Sequence, residues 1–67
     1  HAHSVYGKAF SVFGQELDMI TQDSLRFYKD HAVYPQFGGV VLDREEGKRI
    51  ASHLGTGKAI ILQNHGL

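Results

Sequence analysis

The sequence predicts an α/β domain, and two observations lead to this prediction. A helical pattern with clear start and stop signals covers residues 43–54, and a short, strongly apolar run, Ala59–Leu62, follows it after a turn. The order of helix, turn and buried strand is typical of domains in which helices cover a sheet. With 67 residues, the chain is long enough for one domain at most.

The first predicted helix runs from Ser4 to Phe13. Ser4 is a suitable N-cap, and Gly14 suits the left-handed position that follows a helix. Apolar residues recur at helical spacing along this segment, which predicts one buried face. We expect its aromatic residues to pack in the core: Tyr6, Phe10 and Phe13.

A second helix is predicted after a short connector. Thr21 can cap it, and Asp23 in its first turn is favourable at the positive end of the helix dipole. The helix would run to about Tyr28. It would bury Leu25 together with either Phe27 or Tyr28.

Residues 31–37 predict a strand that is short or lies at a sheet edge, because Pro35 cannot donate to a ladder. A turn at 37–39 and a short apolar segment at 40–42 follow. Asp43 then caps the clearest helix, with Glu46 in a capping-box-like position, and Gly55 ends it. Its apolar stripe is Gly47, Ile50, Ala51 and Leu54, and its charged face is Arg44, Glu45, Lys48 and Arg49.

Composition excludes some classes of partner. Seven basic and seven acidic side chains cancel, which gives no electrostatic basis for capturing nucleic acid or an anionic membrane. No apolar stretch approaches the roughly 20 residues that span a bilayer. The chain has no cysteine and no recognisable signal peptide, so we expect a cytoplasmic location.

Three histidines are candidate metal ligands, and they lie far apart in the sequence: His1, His3 and His65. In an extended segment, positions i and i+2 point to the same side of the backbone, so the rings of His1 and His3 share a face. His65 follows the predicted strand Ala59–Leu62. If the two strand ends lie side by side, three imidazoles converge and leave a coordination position open, which suits catalytic Zn²⁺ or a similar divalent ion.

An alternative metal site depends on the N-terminal amine. If residue 1 carries a free amine, then this amine, two amide nitrogens and the His3 imidazole can form a square-planar set of four nitrogens. That geometry suits Cu²⁺ or Ni²⁺. Such a site would be a property of the chain terminus alone.

The remaining histidines and several aspartates have simpler explanations. His31 and His53 have no ligand partner nearby in the sequence, so we expect solvation or local hydrogen bonds for both. Asp18, Asp23 and Asp30 are candidate catalytic carboxylates, but turn and capping roles already explain Asp23 and Asp30. No catalytic residue is therefore assigned within the chain.

Residues 55–58, Gly-Thr-Gly-Lys, match part of a phosphate-binding loop but fail its requirements. The motif needs a glycine where Ser52 stands, and a serine or threonine where Ala59 stands. The segment also follows a helix and precedes a strand, which is the reverse of the required order. We therefore interpret it as a turn that ends the helix.

The segments His1-Ala2-His3-Ser4 and Leu62-Gln63-Asn64-His65-Gly66-Leu67 together resemble the class II aldolase/adducin domain family. The stretches at 19–34 and 37–43 are similar to a microbial or fungal branch of it. The resemblance extends over essentially all 67 positions. It implies that residues 1–67 are an internal fragment of a single, larger α/β/α layered domain.

The resemblance also implies chemistry. A divalent metal, commonly zinc, would be held by His1, His3 and His65, and would polarise a substrate carbonyl or stabilise an enediolate. The implied activity is a lyase of aldolase type acting on a carbonyl-containing sugar or hydroxy-acid (phosphate) substrate, in subunits that form tetramers. The acid/base glutamate that the resemblance implies precedes His1, so we expect the 67 residues alone to be inactive.

The sequence departs from some aldolases in one segment. Those members carry a catalytic tyrosine shortly after the first helix, where this chain reads Thr21-Gln22-Asp23. Gln22 or Asp23 is then a candidate for approaching the substrate. The alternative function is a non-catalytic interaction or scaffold module of the adducin type, which keeps the fold without the enzyme chemistry.

Overall fold

The computed structural model describes residues 1–35 and 44–67. In chain order the described elements are helix α1, a 3₁₀ helix, strand β1, helix α2 and strand β2: Val5–Ser11, Ser24–Phe27, His31–Tyr34, Arg44–Leu54 and Ala59–Leu62. The α/β prediction is confirmed, because helices accompany a small parallel sheet. The predicted turn at 37–39, the apolar segment at 40–42 and the cap at residue 43 lie outside the described residues.

Strands β1 and β2 pair in parallel, with His31 opposite Ala59 and Tyr34 opposite Leu62. Both strands therefore end at the same edge of the sheet. Strand β1 stops one residue before Pro35, which confirms that this strand is short. Helix α2 lies between the strands in the chain and contacts both of them. Because β2 is parallel to β1, residues 63–67 leave the sheet at the edge where β1 also ends.

The core of the described residues is small. Tyr34 is 1% exposed, and Ile61 and Leu62 are also buried. The guanidinium of Arg49 on α2 hydrogen-bonds to Glu46 and to the hydroxyl of the buried Tyr34, which links α2 to the core. These hydrogen bonds raise the pKa of Arg49. Arg49 therefore stays a cation throughout the ordinary pH range. Within the described residues, no helix has the length and apolar character needed to cross a bilayer.

Helix α1 begins as predicted and ends earlier than predicted. The Ser4 hydroxyl caps it by accepting from the Gly7 N–H at 3.1 Å, and Gly14 adopts a left-handed φ of 58° beyond its last turn. The predicted core packing of its aromatic residues is wrong for two of three: Tyr6 is 88% exposed and Phe13 68% exposed. A helix periodicity identifies an apolar face, but two short strands offer too little surface to cover it.

The second predicted helix is a 3₁₀ helix of four residues, Ser24–Phe27. The side chains of Thr21 and Ser24 each accept from the other's backbone N–H, which forms a tight local turn instead of an α-helical start. Lys29 then adopts a positive φ of 54°, which ends the segment. The expected burial of Leu25 is wrong, because this residue is 55% exposed. Of the two alternatives given for its partner, Phe27 is half-buried and Tyr28 is 59% exposed.

The end of α2 agrees with the prediction. Gly55 has a left-handed φ of 55°, and its N–H donates to the carbonyl of Ala51 at 3.0 Å. Residues 55–58 then form the turn that leads into β2. The turn interpretation of the Gly-Thr-Gly-Lys segment is therefore confirmed.

Candidate metal centre

Three histidines meet just beyond the carboxyl end of β2. The residues after this strand turn back, so that Leu67 pairs with Ala2 through two backbone hydrogen bonds of 3.1 Å. This pairing places His65 beside His1 and His3, which flank Ala2. The convergence expected from the sequence is therefore observed, and it depends on pairing between the two ends of the chain.

The three rings present the same atom to a common point. The Nε2 atom of His3 lies 2.9 Å from Nε2 of His1 and 2.9 Å from Nε2 of His65, and the third Nε2 pair is 3.3 Å apart. Two nitrogens bound tetrahedrally to one Zn²⁺ at about 2.0–2.1 Å lie about 3.4 Å apart. The triangle thus has nearly the size that a shared ion requires. Among the described residues, no carboxylate joins this cluster.

The hydrogen bonding of His1 supports a role for its Nε2 atom. Its Nδ1–H donates to the carbonyl oxygen of Leu67 at 2.5 Å, so in the neutral ring Nε2 carries the lone pair. Metal-bound histidines commonly donate their second ring nitrogen to a carbonyl in this way. The square-planar alternative would need the Ala2 amide nitrogen as a ligand, but the Ala2 N–H already donates to Leu67. The geometry therefore favours three imidazoles.

The turn that carries His65 is attached to two other elements. The Gln63 N–H donates to the Tyr34 carbonyl at 3.0 Å, which extends the β1–β2 pairing by one residue. The Asn64 N–H donates to the carbonyl of Ser11 at 3.3 Å, and the Gln63 carboxamide donates to the carbonyl of Val12 at 3.4 Å. Helix α1 starts after His3, and the residues at its carboxyl end accept these hydrogen bonds from the turn that precedes His65. The helix therefore connects the two histidine-bearing segments.

An apolar groove of about 700 Å³ opens beside the three rings. Its described lining comes from α2, β2 and the chain ends, and its aliphatic side chains include Ile50, Leu54, Ile60, Leu62 and Leu67. Lys58 also lines the groove and pairs with Asp30 at 3.4 Å. The groove gives an organic molecule access to the histidine cluster.

The other candidate residues lie elsewhere. His31 bonds to the Phe27 carbonyl and the Leu17 N–H, and His53 bonds to the Arg49 carbonyl, so the predicted local hydrogen bonds are observed. Asp30 pairs with Lys58, and Asp18 is exposed in the connector. Gln22 and Asp23 lie in an exposed turn, and neither is among the described residues that line the groove.

Two residues that support the cluster are not apparent from the sequence as site residues. Gly66 lies where the two histidine-bearing segments touch, and Gln63 attaches the turn to α1. Neither has a pattern of its own, because each acts through a contact with a distant segment. The only sequence signal is their place beside His65 in the Gln-Asn-His-Gly motif.

A βαβ arrangement with three imidazoles at the carboxyl end of a parallel strand defines a candidate metal-binding α/β domain, since ligands commonly bind at that edge. The comparison with known families agrees with this class. The chain belongs to the family described as Class II Aldolase and Adducin N-terminal domain, which matches residues 1–67. The recognition made from the two histidine motifs is thereby confirmed.

Several relatives are similar over the whole chain. It is 51% identical over 67 residues to Decarboxylase NovR of Streptomyces niveus, covering 100% of this chain and 25% of that protein. It is 49% identical over 67 residues to 4-hydroxy-3-prenylphenylpyruvate oxygenase/4-hydroxy-3-prenylbenzoate synthase of Streptomyces roseochromogenus subsp. oscitans, covering 100% and 24%. The chain thus spans about a quarter of the length of these relatives.

A solved structure is also similar. L-fuculose 1-phosphate aldolase from Glaciozyma antarctica PI12 superimposes with a TM-score of 0.76 at 48% identity. The match covers 98% of this chain and 23% of that one. At this identity the likeness supports a shared family as well as a shared fold.

Proposed function

We propose that the protein carrying this chain is a divalent-metal-dependent lyase of aldolase type, with zinc as the expected ion. The observation that carries the proposal is the convergence of the Nε2 atoms of His1, His3 and His65 within 3.3 Å of one another. When bound, a divalent cation supplies a Lewis acid that draws electron density from a substrate carbonyl oxygen. The proposed substrate is a carbonyl-containing sugar or hydroxy acid, with or without a phosphate.

The chain's own residues have separate tasks in this proposal. The three imidazoles hold the ion, and the Leu67 carbonyl keeps the His1 ring oriented by accepting from its Nδ1–H. The aliphatic walls of the groove offer an organic substrate an apolar surface beside the cluster. The residue that donates or accepts a proton in the reaction is proposed to lie in the parent protein, outside residues 1–67.

The names of the relatives support a reaction at a carbon–carbon bond. An aldolase and a decarboxylase both break such a bond beside an oxygen-bearing carbon, and both kinds of protein are similar to this chain. We further propose that the parent protein is a cytoplasmic homotetramer, of which residues 1–67 are an internal fragment. These proposals rest on the family and on the composition of the chain.

A second candidate function is a non-catalytic interaction module of the adducin type. The description of the matching family favours it, since that description names adducin beside the class II aldolases. The two candidates differ in whether the protein needs a metal.

The metal content of the purified full-length protein tests the proposal. We expect one divalent ion per subunit by elemental analysis, lost in His65→Ala and retained in the matched control His53→Ala, whose ring lies outside the cluster. The absence of a stoichiometric ion from the wild-type protein would overturn the lyase proposal and favour the interaction module. Retention of the ion in His65→Ala would also overturn it.

An activity panel complements the metal measurement. The names of the relatives suggest two test substrates, L-fuculose 1-phosphate for aldol cleavage and 4-hydroxy-3-prenylphenylpyruvate, which is assayed with dioxygen present because the relative that names it is an oxygenase. We expect turnover in one assay that a chelator abolishes and added Zn²⁺ restores. Turnover that is unaffected by complete metal removal would contradict the proposed chemistry.

A further inference from the structure

Gly66 lies at the point where the two histidine-bearing segments touch. It stands between His65 and Leu67, opposite the Ala2 residue that separates His1 from His3. A Cβ atom added at Gly66 would lie 2.5 Å from the carbonyl oxygen of Ala2 and 3.1 Å from Cδ2 of His3. The residue is buried, and its φ of 151° is one that side-chain-bearing residues rarely adopt.

The backbone of Gly66 is held from the other side as well. Its carbonyl accepts from the Leu62 N–H at 2.8 Å, and its own N–H donates to the Leu62 carbonyl at 3.0 Å. Gly66 therefore connects the end of β2 to the segment that carries His1 and His3. A Cβ atom would meet a backbone carbonyl rather than the movable end of a side chain, so the two segments would have to separate.

We infer that Gly66 is a positioning residue, which sets the separation between His65 and the pair formed by His1 and His3. The inference rests on the proposed metal-binding function and extends it to a residue that touches no ion. A Cβ contact shorter than 3.0 Å must relax, so the 2.5 Å approach at Gly66 requires a shift of the backbone. Metal–ligand distances tolerate deviations of only about 0.2 Å. A larger displacement of one imidazole therefore weakens the three-nitrogen site.

Other glycines of the chain provide matched controls. Gly55 also has a left-handed φ, of 55°, but the nearest atom to its added Cβ is the Ser52 carbonyl oxygen at 3.9 Å. Gly47 lies in helix α2, and nothing lies within 4 Å of its added Cβ. Gly55→Ala thus introduces backbone strain without a clash, and Gly47→Ala introduces neither.

The experiment compares Gly66→Ala with both controls in the full-length protein. The readouts are Zn²⁺ affinity by chelator competition, the visible absorption spectrum of bound Co²⁺, and the melting temperature of the metal-free protein. We expect Gly66→Ala to bind Zn²⁺ about 10-fold or more weakly, as for residues that orient metal ligands. We also expect a changed Co²⁺ spectrum. Gly55→Ala should lower the melting temperature with an unchanged spectrum, and Gly47→Ala should leave the spectrum unchanged.

The outcomes separate this inference from the function on which it rests. If the wild-type protein binds neither Zn²⁺ nor Co²⁺, the proposed function fails. If the wild-type protein binds them and Gly66→Ala has the same affinity and spectrum, the positioning role is overturned. A change in melting temperature alone would show a purely structural glycine and would also overturn it.

A second variant decides the matter if Gly66→Ala does not fold. Ala2→Pro removes the Ala2 N–H that donates to Leu67, on an exposed segment, without adding an atom at residue 66. It weakens the same pairing, so we expect a severalfold loss of Zn²⁺ affinity. Wild-type affinity in Ala2→Pro would overturn the inference.

Discussion

The two ends of the β1–β2 pair each carry histidine, and they use the imidazole ring differently. At the amino end, both ring nitrogens of His31 bond to backbone groups, the Phe27 carbonyl at 2.6 Å and the Leu17 N–H at 3.0 Å. At the carboxyl end, the Nε2 atoms of the three site histidines face one another. An imidazole with both nitrogens occupied by the backbone holds the fold together, whereas converging Nε2 atoms suit a ligand.

The surroundings of the histidines at the two ends also indicate a structural role at the amino end and a ligand-binding role at the carboxyl end. The His31 ring attaches the connector to the sheet, because it bonds to Leu17 before the 3₁₀ helix and to Phe27, the last residue of that helix. The site histidines instead border the apolar groove, and they are held by backbone pairing between Ala2 and Leu67. Burial does not distinguish His31 from His65, since both are half-buried, but the partners of their ring nitrogens do.

Replacing His31 should give the largest loss of stability among the variants that leave the metal site intact. His31→Ala removes the acceptor of the half-buried Leu17 N–H and the donor to the Phe27 carbonyl. An unsatisfied buried polar group costs about 1–3 kcal/mol, so we expect a decrease of about 2 kcal/mol in the free energy of unfolding. Denaturant unfolding of the full-length protein measures this decrease, and elemental analysis should find the metal content unchanged.

His53→Ala is the matched control for this prediction. His53 is exposed; among the described residues its ring donates to the carbonyl of Arg49 at 3.2 Å, and its ring centroid lies 4.8 Å from that of Tyr34. We expect its unfolding free energy to change by less than about 1 kcal/mol. Loss of bound metal in His31→Ala, with stability unchanged, would contradict this prediction. It would mean that the histidine at the amino end serves the metal site and does not stabilise the fold.

Gln63 offers a smaller effect at the carboxyl end. Gln63→Ala removes the hydrogen bond to the Val12 carbonyl that attaches the His65 turn to α1. The bond is long and partly exposed, so we expect a loss of about 0.5–1 kcal/mol in unfolding free energy. We also expect weaker Zn²⁺ binding, by about two- to fivefold.

The exposed Gln15 in the neighbouring connector provides the comparison, because Gln15→Ala should change neither quantity measurably. A Gln63→Ala protein with reduced stability but wild-type Zn²⁺ affinity would show that the attachment to α1 does not reach the metal site. Equal effects in both variants would show that the attachment contributes nothing specific.

The sequence predicts the features that depend on local rules. The i, i+2 spacing of His1 and His3 and the apolar run that precedes His65 predict convergence of the rings on one condition, that the two segments lie side by side, and the pairing of Ala2 with Leu67 meets this condition. Gly55 likewise predicts the end of α2, because its left-handed conformation is a property of one residue. The metal-ligand role of the three histidines stays a prediction.

The remaining features depend on distant contacts that no local pattern encodes. The role of Gly66 appears only when Ala2 is placed against it. The exposure of Tyr6 and Phe13 depends on which surface lies opposite α1, and helical periodicity gives the face without giving the partner. The 3₁₀ helix is a local exception: the Thr21 and Ser24 hydroxyls accept from each other's backbone N–H, and average helix propensities do not resolve such competition.

The smallest expected effect lies at the amino end, in the ion pair between Lys58 and Asp30. Lys58→Met removes this contact of 3.4 Å and the bond from the ammonium to the Arg26 carbonyl at 3.1 Å. The lysine side chain is 61% exposed, so we expect a loss of only about 0.5 kcal/mol, reduced further in high salt. Lys48→Met, which breaks the exposed pair with Glu45, is the matched control and should change stability less.

Because Lys58 also lines the groove, a loss of metal in Lys58→Met would mean that the amino end contributes to the site after all. Unchanged metal content with a small, salt-sensitive loss of stability would keep the functions of the two ends separate.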